Sequence, residues 1–67
     1  MTNCKRLQEA IDGSGYTIKF IAKQLGITPQ GFHKKRIGSS EFTISEMLIL
    51  CDLLKLTKSA REEIFLS

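Results

Sequence analysis

Five side chains able to hold an anion or share hydrogen bonds fall within one short stretch: Gln30, His33, Lys34, Lys35 and Arg36. Ammonium and guanidinium groups pair with phosphate oxygens, the guanidinium through a fixed fork of donors. The stretch lies in a larger acid-free region. From Gly13 to Ser40 there is no Asp or Glu, while Lys19, Lys23, Lys34, Lys35 and Arg36 give a local charge of +5. The rest of the chain sets five Lys or Arg against all seven acids, so the net charge of the whole is +3. A basic middle between near-neutral ends suits a surface that meets a polyanion; it also suits a basic face that meets only water.

Other chemistries find less support. His33 is the only histidine, and Cys4 and Cys51 offer neither CxxC nor HxxxH spacing, so no metal site is expected. Ser14, His33 and Asp12 match no hydrolase motif. A chain of 67 residues makes one domain, 1–67, with a thin core and little room to keep water from a reacting site. We therefore expect no catalytic residue, no cofactor and no small-molecule ligand. Two lone thiols fit a reducing compartment, where both would serve as small apolar core residues. The longest apolar run, Met47 to Cys51, is far too short to span a membrane, and Lys5 and Arg6 precede a polar stretch rather than a signal peptide. The expectation is a cytoplasmic protein.

The elements that must position these groups are helical. Leu7, Ala10 and Ile11 recur on one helix face, capped by Thr2 or Asn3 and ended by Gly13-Ser14-Gly15. Thr17 opens a second helix with Phe20, Ile21 and Leu25 inward, Ala22 beside them and Gly26 as its stop. Thr28-Pro29 opens a short third helix anchored by Phe32. Thr43-Ile44-Ser45-Glu46 is a capping box. It starts a fourth helix whose inner stripe reads Ile44, Met47, Leu48, Cys51 and Leu54. Thr57 or Ser59 caps a fifth, running to Ile64-Phe65. No segment alternates with period 2, so the fold predicted is all-α, a compact bundle of five helices.

The second and third helices, joined by Gly26-Ile27, have the build of a helix-turn-helix at about residues 17–38. Ala22 permits a close crossing, and the third helix keeps Gln30, His33 and Lys34 on its outer face. The stretch from Thr17 to His33, with Ala22-x-x-x-Gly26-Ile27-Thr28 at its centre, then Gly38 and Phe42 to Glu46, resembles the lambda-repressor-like helix-turn-helix family. That family includes phage Cro and repressor proteins, and the likeness covers roughly residues 4–66. It implies a five-helix DNA-binding bundle whose third helix reads bases with its first turn.

Carried over residue by residue, the resemblance gives Thr28, Pro29, Gln30, Gly31 and Lys34 as base readers. Gln30 can donate and accept at once to adenine, Lys34 can donate to guanine, and Gly31 lets the backbone approach the groove. Thr17, Lys19, Lys23, His33, Lys35, Arg36, Ser39, Ser40 and Thr43 are expected at phosphates. The sequence departs from the family in two places, at three residues. Ile18 replaces the Gln that many members place at the start of the second helix. Lys35 and Arg36 stand where an apolar residue usually anchors the third helix, so either that helix ends early or Ile37 swings in, leaving both cations for the DNA.

The fourth helix carries more apolar residues than one face needs. Leu50 and Leu53 either cover the last helix within the monomer or join Phe65 and Leu66 in a dimer interface. The function expected is that of a transcriptional regulator of the Cro and repressor type. It would bind double-stranded DNA at a palindromic operator as a homodimer, in a bacterial cell or a phage-infected host. Two rivals are an antitoxin of a toxin–antitoxin pair and a protein-interaction module that has lost DNA binding.

Overall fold

Every helix starts at a side chain that accepts a hydrogen bond from its own first turn. In the structure, a computed structural model that describes residues 2–66, Asn3 caps α1 (Cys4–Ser14) and Thr17 caps α2 (Ile18–Leu25). Thr28 caps α3 (Pro29–Arg36), Thr43 caps α4 (Ile44–Leu53) and Thr57 caps α5 (Lys58–Phe65). In each case the side-chain oxygen takes up a backbone N–H that has no partner inside the helix. Thr43 and Glu46 form the full reciprocal box. The described residues thus make five α-helices and no strand, as the sequence predicts.

The exits differ. α2 stops at Gly26, whose φ of 74° lies in the left-handed region and whose N–H returns to the carbonyls of Ala22 and Lys23. After α4 the left-handed position falls instead on Lys55, at φ 52°. A β-carbon there strains against the following carbonyl.

Each helix sends one large side chain fully inside: Leu7, Ile21, Phe32, Leu50 and Ile64. Burying one such group contributes about 1.5–3 kcal/mol. α2 packs on α3 and α4, and α1 packs on α3 and α5. Phe42, between α3 and α4, links Phe32 and Phe65 at centroid distances of 6.1 and 6.0 Å. The first and last helices are tied by the Asn3 N–H, which donates to the Ile64 carbonyl, and by the Arg6–Glu63 ion pair.

Two helices face differently from the sequence reading. α4 turns Leu50 and Cys51 inward together with Glu46, and leaves Ile44 74% and Leu48 59% exposed. Apolar residues ring this helix, so periodicity could not choose the face; the inward side joins Leu50 and Cys51 to the core and brings Glu46 to Lys35. On α2, Phe20 lies outside the core and stacks on Tyr16 at 5.0 Å, while Ile18 joins Ile21, Ala22 and Leu25 against the core. The expected dimer surface changes accordingly. Leu50 and Phe65 are core residues, Leu53 is half-buried against them, and Leu66 alone of the four is open, at 76%. Leu66 adjoins an open apolar groove of about 190 Å³, lined also by Ile44, Met47, Leu48, Cys51, Phe65 and Arg61.

Candidate nucleic-acid interface

α3 has one buried residue, Phe32, and this anchor decides which side faces out. Thr28, Pro29, Gln30, His33 and Lys34 are exposed, while Gly31, Lys35 and Arg36 are half-buried. Four of the five expected base readers therefore stand on the open side. The fifth, Gly31, has a local reason to be glycine. Its N–H donates to the Thr28 hydroxyl oxygen at 3.0 Å, and a β-carbon there would sit 3.2 Å from that oxygen. The close approach belongs to the cap, whatever α3 faces.

The two cations at the end of α3 are engaged inside the molecule. Lys35 Nζ donates to Glu46 Oε1 at 2.5 Å, with the two side chains 18% and 10% exposed. The same Glu46 oxygen accepts the Thr43 N–H at 2.9 Å. Burial alone would push the Glu46 carboxyl up. The Lys35 hydrogen bond and the Thr43 N–H outweigh it and hold the group below the usual carboxylate range. Arg36 reaches across to α1, where Nη1 donates to Gln8 Oε1, and its Nη2 meets His33 Nδ1 at 2.7 Å. Its Nε is buried with no partner among the described residues.

These contacts correct the expectation for this segment. α3 ends at Arg36, and Ile37 does not swing in, being 54% exposed. The anchor slot holds the Lys35 stem, with its charge met by Glu46. Long cationic side chains can bury their methylenes while the head finds a partner. Lys35 is thus withdrawn from the phosphate set, and Arg36 is half-buried against α1.

The neutral donors are reduced too. The Ser39 and Ser40 N–H groups both donate to the Lys34 carbonyl, at 2.8 and 3.1 Å. The Thr43 N–H goes to Glu46. What Ser39, Ser40 and Thr43 keep is a hydroxyl each, on exposed residues. Thr17 is exposed, with its hydroxyl oxygen accepting from Phe20 N–H at 3.1 Å.

Lys19, Lys23 and Lys34 are exposed, and no ion pair holds them among the described residues. With Gln30 and His33 they form the candidate surface, carried by α2 and α3. Sequence reasoning missed Glu46 and Gln8 as partners of this region. Glu46 was legible as a capping residue, but nothing local marks its link to Lys35, and Gln8 lies a helix and two turns away. Cys51 is buried as expected, and burial pushes its thiol up against a smaller opposing effect of Arg61. No helix among the described residues is long and apolar enough to cross a membrane. Comparison with protein-family models, with curated proteins and with solved structures finds no match.

Proposed function

We propose that the chain is a sequence-specific DNA-binding transcriptional regulator of the Cro and repressor type. In this reading α2, the Gly26-Ile27 turn and α3 act as a helix-turn-helix, with α3 in the major groove. Gln30 and Lys34 read base edges, Lys19 and Lys23 meet phosphates, and Pro29 touches a thymine methyl. The protein does no chemistry; occupying DNA that polymerase needs is its effect.

The observation that carries the reading is the open side of α3. It presents Pro29, Gln30, His33 and Lys34 together, in a region without an acidic residue from Gly13 to Ser40. Duplex binding as a function of salt tests it. With three unengaged lysines per subunit, log affinity should fall against log salt with a slope of about −3 per subunit. A flat response, or no binding at low salt, overturns the proposal.

A rival reading, a protein-interaction module without DNA binding, draws on Lys35 and Arg36 being used internally. A gel shift against random duplex separates the two.

A further inference from the structure

His33 is exposed on the open side of α3, and among the described residues its ring has a hydrogen-bond partner at Nδ1 and none at Nε2. Arg36 Nη2 lies 2.7 Å from Nδ1. A guanidinium has donors and no acceptor, so this contact requires a lone pair on Nδ1. The neutral ring must then carry its proton on Nε2. Arg36 is not loose in this contact. Its other terminal nitrogen donates to Gln8 Oε1 on α1, and the side chain is half-buried between the two helices. The chain Gln8–Arg36–His33 thus fixes which nitrogen of an exposed imidazole is the donor, before any partner arrives.

We infer that His33 is a specificity-determining donor of the DNA-binding surface, offering Nε2–H to an acceptor on a base edge of the duplex, with Arg36 and Gln8 as its positioning residues. The inference rests on the DNA-binding reading and adds a contact to it. Gln30 lies one turn before His33 and Lys34 beside it, so all three address the same groove. A donor held in one tautomer loses less freedom on binding than one that must choose. It also discriminates by presenting a donor and no acceptor, so a donor on the opposing base edge is refused.

Two measurements on the full chain test this. In the protein without DNA, above the pH at which imidazole titrates, nitrogen-15 spectra should show His33 as the Nε2–H tautomer. Arg36→Met should return the mixture of a free histidine. A wild-type ring protonated on Nδ1, or one unchanged by Arg36→Met, overturns the positioning.

Affinity is then compared on a duplex selected from a random pool and on random duplex. His33→Ala should bind the selected duplex about tenfold more weakly, as expected for one hydrogen bond. His33→Gln, whose amide nitrogen reaches as far as Nε2, should stay within about threefold of wild type; His33→Asn, whose nitrogen stands nearer Nδ1, should lose as much as Ala. Loss on the selected duplex alone is the result expected of a base contact; equal loss on both marks a phosphate contact and overturns the specificity role. Wild-type binding with no loss in His33→Ala overturns this role alone. Failure of the wild type to bind any duplex overturns the DNA reading and this role with it, while the tautomer result stands by itself.

Discussion

At the scale of single residues, Lys35 and Glu46 hold opposite charges in a site nearly closed to water, and each depends on the other. Removing one partner leaves a desolvated charge, which costs more than the pair contributes. Lys35→Met and Glu46→Gln should each lower stability by about 1–2 kcal/mol in denaturant unfolding, less than for a fully buried pair. The double variant should lose less than the two single losses added. Acid should act on the same site. The folded carboxyl of Glu46 titrates lower than the unfolded one, so its contribution is full above the ordinary carboxylate range and fades as pH falls through the lowered value. The melting temperature of the wild type should therefore drop more steeply than that of Glu46→Gln on acidification below about pH 4. Gln30 is a different case, being exposed and without a side-chain hydrogen bond among the described residues. Gln30→Ala should leave the melting temperature unchanged and cost about 1–3 kcal/mol on the preferred duplex, with relaxed choice at one or two base pairs. Equal losses on preferred and random duplex would remove Gln30 from the base readers.

The helices themselves were legible because their boundaries are local. Thr17, Thr28, Thr43 and Thr57 each announce a start within four residues of sequence, and each caps in the structure. Facing was legible where one side of a helix is plainly polar, as in α1 and α3. It was not legible in α4, where apolar residues surround the axis and the inward face is set by long-range packing of Leu50 and Cys51, with Glu46 meeting Lys35 eleven positions earlier. The open side of α3 could be foreseen from Phe32 alone; the loss of Lys35 from that surface could not, since a lysine reads the same whether solvated or paired. The exit of α4 carries its own prediction. Lys55 holds φ 52° where helices more often end on glycine. Lys55→Gly should raise stability by about 0.5–1 kcal/mol, the relief of strain exceeding the added freedom of the unfolded chain. A loss of stability in chemical denaturation would mean that the Lys55 side chain contributes more than the strain costs.

For the molecule as a whole, the longest extent is 28 Å, while two operator half-sites lie roughly 34 Å apart. One copy cannot cover both under the proposed function, and a second copy must be held by a surface away from α3. With Leu50 and Phe65 inside the core, the most exposed apolar side chains at the groove between α4 and α5 are Ile44, Leu48 and Leu66. Leu48→Glu and Leu66→Glu should both stay folded by circular dichroism and lose cooperative binding to a duplex with two half-sites. Cooperativity that survives both changes would place the contact elsewhere. The bond from Asn3 to the Ile64 carbonyl has a consequence in time rather than in energy. Short turns let neighbouring helices find each other quickly, but bringing α1 to α5 closes a loop of nearly the whole chain and costs more entropy. We expect their docking on the late side of the folding barrier. Weakening it should leave the rate of collapse almost untouched and shorten the lifetime of the finished bundle.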